Sequence, residues 1–286
     1  MSEAAAVRTS PRPAARVSVT ALLRSGPRLF AIGIAAVGIG NVVWVRQTAL
    51  LHALPSQPVL RGLLAFPNFP PVAAVGYILG GIMAALGVAL LVRPQNRSAA
   101  LALAVFFLLC ALIIGLPRYW DFPGDIALRT TLFQELLLGA MACLLPGRGA
   151  IPAGLARVCR YVMGAALIVF GAGHFLALKL IAGMVPGWMP GHVFWAVFFG
   201  LAFILAGLSI AGGWLLDWGA GLAGAMFAVF LLALHLPAAL GAYGPVRWDD
   251  ANNWTSVAIV LAFWGGLWAL ASRGCVREHG RAEPAA

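Results

Sequence analysis

The sequence predicts an all-α integral membrane protein of about eight transmembrane helices in two parallel four-helix repeats, and three observations carry that expectation. The first is composition. Of 286 residues, 62% are hydrophobic and 10% charged, with a mean hydropathy of +0.93, whereas soluble domains run near half apolar and a quarter charged. The second is run length: the apolar stretches approach the roughly 20 residues that carry a helix across about 30 Å of hydrocarbon. Strands of a membrane barrel would be about ten residues with strict alternation. The third is an internal repeat, which divides the chain near its middle.

Residues 1–28 are rich in Ala, Arg, Pro and Ser and carry Arg8, Arg12, Arg16, Arg24 and Arg28, so a flexible basic cytoplasmic tail is expected. Apolar runs follow at 29–45, 72–92, 99–116 and 130–145, then at 161–181, 193–215, 219–240 and 254–271. The first run has no clear small-residue cleavage site, and its counterpart later in the chain is internal, so it is expected to be retained rather than removed as a signal peptide. Pro- and Gly-rich segments punctuate the runs at 67–71, 93–97, 118–125, 146–152 and 243–250.

The halves repeat each other. Gly40-Asn41 aligns with Gly173-His174 and Arg46 with Lys179, an offset of 133 residues (174 − 41). Gly87 aligns with Gly207 and Leu116-Pro117 with Leu236-Pro237, an offset of 120 (236 − 116). The first half therefore has the longer connection between its first two helices. The expected organisation is a tail at 1–28, a first repeat at 29–147, a linker at 148–160, a second repeat at 161–272 and a tail at 273–286. An even number of spans returns the chain to its starting side, so the repeats should share one orientation.

A net charge of +10 suggests nucleic acid at first sight, but the basic residues sit at the ends of apolar runs, and no nucleic-acid partner is expected. They are topology signals. The tails, the 93–97 loop and the 146–160 segment hold Arg93, Arg97, Arg148, Arg157, Arg160, Arg273, Arg277 and Arg281 besides the five tail arginines, so both termini should be cytoplasmic. Cys110 and Cys143 lie within apolar runs and Cys159 and Cys275 in Arg-bearing segments, with no C-x-x-C. A disulfide, a thiol relay or a metal site is not expected.

Seven residues stand out as ligand-binding candidates: Asn41, Glu135, His174, Lys179, Trp188, His192 and His235. Lys179 is the one lysine of the chain, and polar groups at membrane depth are expensive enough to be functional candidates. Asn41, Glu135, His174 and His235 all fall in the half of the bilayer away from the cytoplasm, which suggests one polar pocket or one per repeat. The expected site is a pocket shared by His174 and His235, with Trp188 and His192 at its mouth. Structural readings stand beside these: Lys179 and Arg46 can snorkel to the interface, the histidines can bond neighbouring helices as packing glue, and Glu135 needs Arg129 or Arg118 as partner, or a proton. Trp44, Trp120, Trp188, Trp214, Trp248 and Trp254 suit interface anchors.

Gly171-Ala172-Gly173-His174-Phe175, the turn Val185-Pro186-Gly187-Trp188-Met189-Pro190 and Leu234-His235-Leu236-Pro237 resemble motifs of the DoxX-like membrane proteins, and the resemblance covers residues 160–270. The first half departs from the pattern, with Asn41 and Gly115 in place of the two histidines and a longer loop in place of the Pro-Trp-Pro turn. The resemblance implies four-helix bundles in a bacterial inner (plasma) membrane and a link to quinone-coupled redox complexes. Three functions remain open, and catalysis is undecided among them. One is a redox-associated subunit with a partner subunit, in which His174 and His235 bond a carbonyl oxygen of a quinone or other lipid-soluble ligand and Glu135 or a loop acid moves protons. The second is a transporter or small-ligand binder among membrane lipids, and the third a bis-histidine haem.

Overall fold

The computed structural model describes residues 19–44, 72–147, 149–242 and 251–279, and every regular element among them is helical. In chain order these are α1 (Val19–Arg24), α2 (Gly26–Val43), α3 (Val72–Val92), α4 (Arg97–Asp121), α5 (Ile126–Leu144), α6 (Ala153–Leu176), α7 (Leu178–Met184), α8 (His192–Gly212), α9 (Leu216–Ala239) and α10 (Ala251–His279). Seven of the described spans are long and apolar enough to cross a membrane, and α3 adds a shorter apolar helix, Gly76–Val92. The protein is an all-α integral membrane protein.

Local sequence fixes the element ends. Asn96 caps α4 by accepting from the Ala99 amide at 3.1 Å, and Asp125 caps α5 by accepting from Ala127 at 2.7 Å and Leu128 at 3.1 Å, which satisfies amides that a helix start leaves orphaned. Pro27 lies in the first turn of α2, where its fixed φ suits a helix start. That is why α2 begins at Gly26 and not at 29, with α1 ahead of it inside the expected tail. Likewise α6 begins at Ala153, so most of the expected linker is helix, and α10 continues past 272 to His279. Between α6 and α7 the run 161–181 breaks at Ala177, which is non-helical (φ −116°, ψ 33°).

Two spans carry the same irregularity at the repeat offset. Ala111–Gly115 in α4 and Leu231–His235 in α9 are π-helical turns, each followed by Leu-Pro. Proline cannot donate to the carbonyl four residues back and its ring crowds that turn; widening the turn by one residue accommodates it, a common origin of π-bulges.

The helices close a circuit. α2 packs on α3, α3 on α4, α4 on α5, α5 on α6, α6 on α8, α8 on α9, α9 on α10, and α10 returns to α2; α5 and α10 also touch across the middle. One apolar core runs through it, with Phe30, Leu103, Met141, Met163, Phe203, Phe263 and Leu267 all nearly or fully buried. The tightest seams are glycine-lined. A Cβ on Gly87 would lie 2.5 Å from the Ala35 amide across the α2–α3 seam; one on Gly171 would lie 2.5 Å from the Gly200 carbonyl, and one on Gly207 2.6 Å from the Gly164 carbonyl, across the α6–α8 seam. Lipid tails are as apolar as the helices, so such close packing supplies much of the association.

That packing is testable. Gly171→Val places branched carbon into the α6–α8 seam and should cost about 1–3 kcal/mol, seen as a lower thermal midpoint of the detergent-solubilised protein. Gly183→Ala, where nothing lies within 4 Å of the added Cβ, should leave the midpoint in place.

Candidate functional site

α6, α7, α8 and α9 enclose a cavity of about 460 Å³ on which His174 and His235 both border. His174 reaches it from the last turn of α6 and His235 from the end of the π turn in α9. Ala196 and Phe199 of α8 and Val229, Phe230 and Ala233 of α9 form its walls. Ile181 and Met184 of α7, with Val185, Pro186 and Met189 of the following turn, cover it. Three successive residues of the α9 π turn, Ala233, Leu234 and His235, border the space.

His174 is held by its surroundings. The α6–α8 seam leaves so little room that a Cβ on Gly200 would sit 2.9 Å from the His174 Cβ. The His174 Nδ1–H donates to the Phe170 carbonyl at 2.9 Å, and the ring packs at 5.5 Å from Phe203. Because a carbonyl only accepts, Nδ1 carries the hydrogen and a neutral ring has its lone pair on Nε2. His235 has no hydrogen bond to the protein among the described residues, so its tautomer is free to follow a ligand. Trp195 also borders the cavity; its indole N–H donates to the Pro190 carbonyl at 3.0 Å, tying the turn over the cavity to α8.

An aromatic stack continues from this wall. Trp195 stacks on Phe199 at 5.9 Å, Phe199 meets Phe230 edge-on at 4.7 Å, and Phe230 lies 5.9 Å from Phe203. On the outer side of α8, Phe194 and Phe198 are exposed and stack on each other at 6.0 Å. In a membrane that surface meets lipid.

The structure brings together two of the seven candidates and separates the rest. Lys179 is exposed on α7 beside a shallow surface depression formed with Leu176, Leu180 and Gly183, because the corner at Ala177 turns it away from the cavity. Trp188 is 71% exposed at the tip of the turn and His192 is half-buried at the start of α8; neither borders the cavity, and Met189 and Trp195 occupy the place expected for them. Asn41 is buried on α2, where a Cβ on Gly80 would meet its Cβ at 3.0 Å, the same relation that Gly200 has to His174. Glu135 lies on α5. A Cβ on Gly115 would sit 2.7 Å from its Oε2, an oxygen buried without a hydrogen-bond partner. Gly115 corresponds to His235 at the 120-residue offset, so the first half fills with a carboxylate the space beside its own π turn. Arg46 and the loops at 67–71 and 243–250 lie outside the described residues.

The sequence reasoning missed Trp195, Phe199 and Phe230. Their signal was the spacing of Trp195 and Phe199 four apart on one helix face, together with Phe230 immediately before the π turn. Among the described residues no three His, Cys, Asp or Glu side chains cluster as a metal site.

The arrangement is that of a multi-pass membrane protein with a largely apolar cavity bordered by two imidazoles. No family model matches the chain, and no curated protein or solved structure matches it.

Nitrogen NMR of protein labelled at histidine should show His174 in the Nδ1–H tautomer, with the resonance of a bare Nε2. The Nε2–H tautomer at this residue would contradict the Phe170 bond.

Proposed function

We propose that this protein binds a lipid-soluble, quinone-type ligand in the cavity between His174 and His235, as a DoxX-like membrane component of a redox system. One observation carries the reading: two imidazoles that the chain separates by 61 residues (235 − 174) border one apolar cavity of about 460 Å³. The residues fit such a ligand. The volume falls within the roughly 300–1,000 Å³ of ligand sites, which are walled by apolar and aromatic side chains and oriented by a few polar groups. When bound, a quinone supplies two-electron, two-proton chemistry. This chain's part is to seat the ring against Phe199 and Phe230, to orient it through His174 and His235, and to exclude water with Met184, Pro186 and Met189. A partner subunit would exchange the electrons.

The proposal extends to origin and sidedness. The glycine-lined seams, the Asn41–Gly80 and His174–Gly200 relations and the two π turns recur at the repeat offsets, which supports duplication of a four-helix unit with both copies in one orientation. The resemblance supports a bacterial inner membrane, and the arginine distribution supports cytoplasmic termini with the turn at 185–191 on the far side.

His174→Leu and His235→Leu should each abolish retention of a quinone-type ligand, measured by mass spectrometry of lipids extracted from the purified protein, while the elution profile in detergent is unchanged. Asn41→Leu should retain it. Equal retention in all three variants would remove the site. In a cysteine-free background, single cysteines at Gly191 and Arg277 should be labelled by a membrane-impermeant reagent from opposite sides; labelling from one side would overturn the orientation.

A further inference from the structure

We infer that the cavity selects a ligand that presents a hydroxyl group to His174, a hydroquinone or phenol in preference to a quinone carbonyl or an ether. This rests on the proposed function of the same cavity and goes beyond it, because it assigns the chemical form that is held.

The argument is a count of donors and acceptors. A neutral imidazole has one of each, and the donor of His174 is committed to the Phe170 carbonyl at 2.9 Å. What it offers the cavity is a lone pair. To donate to a ligand carbonyl, the ring has two routes. Moving its hydrogen to Nε2 leaves the Nδ1 lone pair facing the Phe170 oxygen at that same distance, which exchanges an attraction for a repulsion. Taking a second proton puts a cation in an apolar cavity at membrane depth, which is expensive.

The other polar groups of the lining do not change the count. The Trp195 N–H is held by Pro190 at 3.0 Å and is not available to a ligand. His235, with no hydrogen bond of its own among the described residues, can donate or accept. Among the described residues a quinone with two carbonyl oxygens therefore finds one side-chain donor, His235, and one oxygen facing a lone pair. A hydroquinone donates one hydroxyl to His174 Nε2 and meets His235 in whichever tautomer pairs with the other. An ether has no hydrogen to give and should behave as the quinone does.

The test uses three probes of one shape: a decyl-substituted methylhydroquinone, the corresponding quinone and the corresponding dimethyl ether. Each is equilibrated anaerobically with the purified protein in identical nanodiscs, and bound probe is measured against nanodiscs holding the His174→Leu, His235→Leu double variant. The hydroquinone should bind at least tenfold more tightly than the quinone or the ether, the scale of one buried polar group left unpaired. His174→Gln, whose amide can donate, should bring the quinone to within a few-fold of the hydroquinone, a change of preference that a packing role for His174 would not produce. Quinone binding equal to or tighter than hydroquinone in the unaltered protein would overturn this inference and leave the proposed function standing, as would an unchanged preference in His174→Gln. No specific binding of any probe would overturn both.

Discussion

The close approach of backbones at glycine is the constraint on which this protein depends. Inside a bilayer a helix gains little by exchanging lipid contact for contact with another apolar helix, so association comes from dispersion at short range. The seams at Gly87–Ala35, Gly171–Gly200 and Gly207–Gly164 bring helix axes near enough for that to count. The same approach places the chemistry. His174 stands where it does because α8 presents no side chain at Gly200, and the ring then turns over Phe203 toward the cavity.

Much of this architecture was legible in the sequence because membrane solvent imposes length and polarity so strictly. Among the described residues seven of the eight apolar runs coincide with helices long enough to cross a membrane and the run at 72–92 with a shorter apolar helix, and the cost of polar groups in hydrocarbon singled out His174 and His235. What stayed illegible was direction. Within 161–181 both sides of the break at Ala177 are equally apolar, so nothing announced that the helix would end there and that α7 would carry Lys179 outward. Trp188 and His192 looked like the mouth of a pocket because they flank its covering turn in the chain, yet the turn points Trp188 away and tucks Met189 in. Glu135 shows the same limit: its depth was inferable, but its neighbour Gly115 is visible as a partner only in three dimensions.

The halves are alike in framework and unlike in polarity. Each contains a π turn ahead of Leu-Pro, but one turn ends in His235 and the other in Gly115, whose missing side chain admits the Glu135 carboxylate. The polar group at the π turn is therefore an imidazole in the second half, whereas in the first half a carboxyl lies beside the turn.

The circuit of helices has a consequence for how the chain is made. α2 is synthesised well before α10, yet they pack along one another, with Gly33 against Ala262 and Gly26 against the backbone near Ala269. Until α10 has been made, the α2 surface at Gly26 and Gly33 lacks that partner. A chain truncated before α10 would lose the helix that joins α2 to α9, and both seams would stay open.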